Sequence, residues 1–258
     1  MNIVLIGSGN VATHLGRAFK MAGQSIVQVW SRDINNAIEL ADLLAAVAVA
    51  NISDISRSAD LYIIAVKDKA IREVALELDI DDQLIVHTSG STGLDILDGI
   101  SSRIGVFYPL QTFSKSMAVD FRQIPIAIEG SSGEVTSTIR SIADRLSEKV
   151  IELNSRQRRA LHIAAVFACN FTNHLYALSQ ELLKEQNLDF DLLRPLIAET
   201  ANKIQLNDPV SLQTGPAIRE DNETINVHLG LLHEKPDLRE LYKSLSQSIV
   251  NLHQRSQG

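Results

Sequence analysis

The chain of 258 residues has one cysteine, Cys169. An intramolecular disulfide and a cysteine-rich metal site are therefore excluded. Aromatic residues are scarce, at 5 %, and Trp30 is the lone tryptophan. The longest charge-free apolar stretch, 43–50, falls far short of the ~20 residues that cross a bilayer. Basic residues are outnumbered, 24 to 31, for a net charge of −7, so charge does not point to a nucleic-acid partner. The seven histidines lack the H-E-x-x-H spacing of a zinc helix, and no metal is expected. Ser89 and Ser91 lack the G-x-S-x-G elbow of a nucleophilic serine. Internal repeats and low-complexity tracts are absent. Met1-Asn2 leads straight into a strand pattern, which leaves no room for a signal peptide and predicts a soluble cytoplasmic chain.

What is present begins at residue 3. Ile3-Val4-Leu5-Ile6 is continuous, apolar and mostly β-branched, as for a strand buried on both faces of a parallel sheet. Gly7-Ser8-Gly9-Asn10-Val11-Ala12 then fits G-x-G-x-x-A. The first glycine permits the tight turn, the second lets a pyrophosphate approach the backbone, and the small third residue lets a helix pack closely. Val11, Leu15, Ala18 and Phe19 follow at helical spacing. The helix N-terminus would offer free N–H groups to phosphates. A tight turn in an α/β protein that has lost its nucleotide is the plainer alternative.

Further strands are expected at 25–30, 47–49, 61–66, 84–87, 104–107, 125–128 and 149–153, with helices at 35–45 and 134–147 between them. This alternation predicts an α/β, doubly wound, mostly parallel sheet of the Rossmann type. Near residue 154 strand signals stop. Helices are expected at 155–184, 191–207, 223–232 and 237–254. Two domains follow, 1–154 binding the nucleotide and 155–258 all-helical.

The end of the second strand should meet the adenosine ribose, where an acid favours NAD and a base favours NADP. Ser31 occupies the expected acid position and Arg32 follows. A hydroxyl and a guanidinium suit a 2′-phosphate. Trp30 would lie near the adenine or pack inside. Asp33 keeps NAD open, since a shift of one residue would restore an acid.

Ligands of such sheets bind beyond the carboxyl ends of the strands. The candidates there are Val66-Lys67-Asp68, His87-Thr88-Ser89-Gly90-Ser91 and Tyr108 through Phe113. Val66 and Lys67 are assigned to the cofactor. His87 with two hydroxyls could orient a carbonyl or imine and supply a proton, or the stretch could simply cap a turn. Residues 160–171 are apolar nearly all round, which predicts a buried helix. His162, Asn170, Asn173 and His174 interrupt it within an arc of about 120° on an ideal helix. That sector would face the nicotinamide or form a structural network. Thr214-Gly215-Pro216 must break a helix. Arg219, Glu220, Asp221, Thr224 and His228 follow, with Asn222 as the expected cap. Arg219 could clamp an anion or pair with an aspartate.

The stretches "GSGNVATHL", "WSR", "ADLYIIAVKDKAI", "HTSGS", "GVFYPLQTFS", "AAVFACNFTNHLYAL" and "TGPAIREDNETINVHL" together resemble a group of bacterial NADP oxidoreductases assigned from sequence. Its members join a Rossmann-like domain to a helical domain of unknown function. The wider relatives are pyrroline-5-carboxylate reductase, ketopantoate reductase and the β-hydroxyacid dehydrogenases. The resemblance implies a 6-phosphogluconate dehydrogenase-like helical domain and a homodimer made through the long helices. It matches Gly7, Gly9 and Ala12 to the phosphate turn and Ser31-Arg32 to the 2′-phosphate site. One departure stands out. β-Hydroxyacid dehydrogenases carry a catalytic lysine on the long helix, whereas 155–181 contains no lysine. Asn170 matches the asparagine that follows that lysine. An imine substrate needs less proton donation and fits this departure better.

The expected activity is hydride transfer between NADP(H) and a small polar carbonyl or imine. His87, Asn170, His174 and Arg219 are the candidate catalytic residues. Gly7, Ser8, Gly9, Asn10, Val11, Ala12, Ser31, Arg32, Val66 and Lys67 are the candidate cofactor contacts. The alternative is a non-catalytic protein that responds to NADP(H).

Overall fold

The structure, a computed structural model, describes residues 1–257. The opening apolar run forms β1 (Asn2–Ile6), and Ile3, Val4, Leu5 and Ile6 are all wholly buried. Ile3 and Leu5 pack with Leu15, Phe19 and Leu40 on one face of the sheet. Val4 and Ile6 pack with Tyr62, Ile64 and Ile71 on the other. Successive side chains point to opposite faces, so a strand covered on both faces needs apolar residues without alternation.

Seven more strands follow: β2 (Ser25–Trp30), β3 (Val47–Val49), β4 (Leu61–Ile64), β5 (Leu84–His87), β6 (Ile104–Pro109), β7 (Ile126–Gly130) and β8 (Val150–Glu152). Their order is β3-β2-β1-β4-β5-β6-β7-β8. Every pairing is parallel except β6 with β7. Helices α1 (Asn10–Met21), α2 (Ile34–Leu44), α3 (Ile71–Leu76) and α4 (Gly133–Ala143) connect them. The order reverses direction at β1, whose neighbours are β2 and β4. This is the switch point at which open α/β sheets bind ligands. β4 stops at Ile64, two residues sooner than expected, and Ala65-Val66 lie against the glycine turn.

The chain divides into two compact units, Met1–Leu175 and a second from Tyr176 onward. The first includes all eight strands, α5 (Ser155–Ala165), a π-helical turn at Val166–Phe171 and the first residues of α6 (Thr172–Glu185). A capping box starts α5, with Asn154 and Gln157 bonding each other's backbone N–H groups. Two expectations for this helix need correction. The apolar segment 160–171 is not buried within the chain: Ile163, Phe167 and Phe171 are 60 %, 65 % and 49 % exposed. An all-round apolar sequence shows that a surface is suited to burial, and within one chain nothing need cover it. The polar arc drawn on an ideal helix also shifts, because a π-turn adds residues per turn and rotates 172–174 relative to 162.

The second unit contains the rest of α6 together with α7 (Arg194–Lys203), α8 (Asn222–Leu231) and α9 (Pro236–Gln257). Gly215 breaks the chain at a φ of +108°, as its neighbours required. The cap of α8 is Asp221 rather than Asn222; its carboxylate accepts from the Thr224 N–H and hydroxyl. Those two bonds hold the Asp221 carboxyl below its usual range. No helix among the described residues is long and apolar enough to cross a membrane.

Candidate active site

The glycine turn is built as its spacing requires. Gly7 has a φ of +122°, and a Cβ there would lie 2.4 Å from the Ala65 carbonyl oxygen. Its N–H donates to the Trp30 carbonyl at 2.7 Å, which ties the turn to the end of β2. Gly9 differs. Its φ is −76°, and a Cβ would meet nothing within 4 Å. Neither strain nor packing inside the protein demands a glycine there. Gly9 offers α1 no side-chain cap, and no acid sits in the first turn, so the helix N-terminus is open to an anion. Ala12 is wholly buried under this turn.

A cavity of about 380 Å³ begins at Gly7, Ser8 and Gly9 and continues past Trp30, Ser31, Arg32, Val66, Lys67 and Lys69. Ser8 donates to the Ser31 hydroxyl at 2.9 Å, leaving the Ser31 proton free for another acceptor. Arg32 lies 3.7 Å from Glu73, and both side chains are largely in solvent. Trp30 packs in the core beneath the cavity, and its buried Nε1 has no partner among the described residues. The Asp33 carboxylate accepts from the Asn35 N–H at 3.0 Å and caps α2. It is thus occupied locally.

His87 ends β5 and is fully buried. Its Nδ1 accepts from the Ser89 N–H, and its Nε2 meets the Gly93 carbonyl, both at 3.2 Å. Both ring nitrogens are therefore in use. Burial, and then the Arg158 guanidinium, push its pKa down to about 4. This histidine is neutral at physiological pH and closed off, so the ring holds the 88–93 loop and has no free proton for a substrate. Ser89 bonds Thr92 at 2.9 Å, and Ser91 bonds Asp68. Arg158 has no exposed surface; it pairs with Glu129 of β7 and donates to the Thr92 carbonyl at 2.6 Å. Arg159 donates to the Ser91 carbonyl at 2.9 Å. These two arginines fasten α5 to the loop.

A second cavity, of about 360 Å³, lies between the segment after β6 and the long helix. Tyr108, Gln111, Thr112, His162, Cys169 and Asn170 supply its polar walls. Tyr108 Oη and His162 Nδ1 are 3.0 Å apart. Asn170 thus faces a cavity in the first unit. His174 is exposed and does not line that cavity. The Phe113 carbonyl accepts from Asn10 Nδ2 at 2.8 Å, and the Ser114 carbonyl lies 2.9 Å from His14 Nε2. The segment that walls the second cavity is thereby hung from the helix that begins at the glycine turn. Asn10 and Val11 can offer that turn their backbone N–H groups, since the Asn10 side chain is engaged elsewhere.

Arg219 belongs to the second unit, largely in solvent and 4.0 Å from Asp221. His228 Nδ1 meets Tyr242 Oη at 2.8 Å. Sequence reasoning missed Lys69 and the Arg158–Glu129 pair. Tyr108 and His162 were visible separately, one at a strand end and one on a helix, but nothing in the sequence joined them.

The family described as "NADP oxidoreductase coenzyme F420-dependent" matches residues 2–90. "Domain of unknown function (DUF2520)" matches residues 124–249. No curated protein matches the chain. Among solved structures, a Bacteroides fragilis protein named as a candidate NADP oxidoreductase is 45 % identical. That match covers 97 % of this chain and 98 % of that one, with a TM-score of 0.90. A 1-pyrroline-5-carboxylate reductase from Streptococcus pyogenes is 14 % identical over 98 % of each chain, with a TM-score of 0.65. An imine reductase from Myxococcus stipitatus, solved with NADP+, is 19 % identical over 99 % of this chain and 94 % of that one, with a TM-score of 0.60. The last two likenesses concern the fold.

Proposed function

The chain belongs to the NADP oxidoreductase family of the Bacteroides fragilis protein, and on that premise we propose that it moves hydride between NADP(H) and a small polar carbonyl or imine. The observation that carries this reading is Gly9. It has no structural need to be glycine, and it leaves open space at an uncapped helix start. A bound pyrophosphate would use both features. The buried, unpartnered Trp30 Nε1 beside the same cavity also lacks an acceptor that a ligand could supply.

Gly7 through Ala12 would hold the pyrophosphate. Ser31, Arg32 and Lys69 would hold a 2′-phosphate, with Val66 and Lys67 along the cavity wall. NADP is favoured over NAD because Asp33 is occupied as a helix cap and the charged residues that line the cavity, Arg32, Lys67 and Lys69, are cationic. The nicotinamide would supply or accept the hydride. The substrate would sit in the second cavity, with Asn170 as a hydrogen-bonding partner. His87 is read as a positioning residue, since both its ring nitrogens are used. The exposed apolar side chains of the long helix support a homodimer formed there.

Titration with NADPH and NADH, followed by Trp30 fluorescence, tests the first step. Strong quenching by NADPH with little by NADH is expected. Preference for NADH would overturn the 2′-phosphate assignment, and no binding of either by calorimetry would overturn the whole reading. Tight NADPH binding without turnover across cyclic imines and 2-oxoacids would favour a nucleotide-responsive binding protein.

A further inference from the structure

Tyr108 and His162 come from distant parts of the chain, yet they share one slot. Tyr108 is near the end of β6, and His162 is in α5. Their rings meet edge to face, with centroids 6.0 Å apart. Gly90, in the loop after β5, closes the slot. A Cβ there would lie 2.7 Å from both His162 Nδ1 and Tyr108 Cζ, too close for either ring to stay. Gly90 lies outside the left-handed region, so the close approach of the two rings is what requires a glycine at this point. Both rings remain partly open, and both line the 360 Å³ cavity with Asn170.

We propose that Tyr108 is the proton donor to the substrate heteroatom and that His162 restores its proton. The assignment rests on the oxidoreductase reading above. Reduction of a C=O or C=N bond adds a hydride to carbon, from the nicotinamide, and a proton to oxygen or nitrogen. The π pair moves to the heteroatom as the carbon takes the hydride. The heteroatom takes the Tyr108 Oη proton, and Oη takes the Nδ1 proton of His162 as Nε2 of the same ring takes one from solvent. Oxidation runs the same steps backward. Burial raises the Tyr108 pKa, so the phenol keeps its proton until the heteroatom needs it. Arg158 opposes that rise and Asp68 adds to it, and Cys169 lines the cavity. A positioned acid of this kind contributes roughly 10²–10⁴-fold in rate. The pair stands in place of the helix lysine that this chain lacks.

The test is NADPH-dependent reduction of cyclic imines and 2-oxoacids by wild type, Tyr108→Phe, His162→Gln and Gly90→Ala, with NADPH affinity measured alongside. Expected is a fall in kcat of roughly 10²-fold or more for Tyr108→Phe, with NADPH affinity unchanged. Gly90→Ala should fall similarly, because the rings are pushed apart. Tyr108→Phe within threefold of wild type would overturn the assignment and leave the oxidoreductase reading intact. Absence of turnover by wild type on every compound would overturn that reading and this one with it. The ¹³Cζ resonance of labelled Tyr108 provides a readout apart from turnover: it should move with His162→Gln. An unmoved resonance would remove His162 from the pair.

Discussion

The sheet unit and the helical unit solve the problem of apolar surface in opposite ways. In the first, β1 and its neighbours bury aliphatic side chains on both faces, so that exposed ones such as Met21 and Leu76 surround a continuous core. In the second, only Ala217 and Leu232 are buried hydrophobics among the described residues, while Leu206 and Leu231 are 89 % and 75 % exposed. Hydrophobic stabilisation follows area removed from water, at roughly 25 cal/mol per Å². The first unit can therefore draw its stability from itself. The second removes little of its own apolar surface from water.

That contrast can be broken most severely at Arg158. Arg158→Met removes the buried partner of Glu129 and the donor to the Thr92 carbonyl. Loss of one member of a buried pair costs about 3–5 kcal/mol. Urea unfolding should show a loss of that size in the sheet unit, which would then no longer be self-sufficient.

Acid should act next. The folded sheet unit holds His87 neutral, with a pKa near 4, while the unfolded chain titrates near 6.5. The unfolded state therefore binds more protons between these values. The stability linked to His87 is complete above pH 6.5 and is lost as the pH falls from 6.5 toward 4. Its size is on the order of 3 kcal/mol. Unfolding curves at pH 7 and pH 4.5 should differ accordingly, and His87→Gln should flatten the difference.

Protein concentration sharpens the comparison from the other side. If a second copy covers the helices, thermal melting should move upward with concentration, by about 1.4 kcal/mol of stability per tenfold increase. Melting that is independent of concentration would mean the second unit stands alone. The smallest effect belongs to the rim of the cavity at the glycine turn. Asp33→Ala removes the α2 cap and should cost about 1 kcal/mol of stability, with the preference between NADPH and NADH unchanged. Arg32→Ala should do the reverse, lowering NADPH affinity roughly tenfold with little change in stability.

Local features were legible in the sequence for definite reasons. The unbroken run at β1 reported two buried faces, and Gly7 reported a turn that no other residue fits. Gly215 announced a break through its proline neighbour. Contacts over long range were hidden. Tyr108 and His162 are 54 residues apart, and only the closing of α5 over the β5 loop joins them. Arg158 sits in a run, Ser155-Arg156-Gln157-Arg158-Arg159, that reads as an exposed helix start, yet it is wholly buried. The π-turn has no proline or glycine to betray it. Residues 160–171 misled in a different way, because apolarity records fitness for burial and is silent on who does the burying.

One segment has consequences in time as well as in space. Residues 110–113 wall the second cavity, while the Phe113 and Ser114 carbonyls hang on Asn10 and His14 of α1. The wall is therefore only as firm as the first turns of that helix. Phosphates seated at Gly9 would steady those turns before anything reached the second cavity. Occupancy of the first cavity would in that way be felt at the wall of the second.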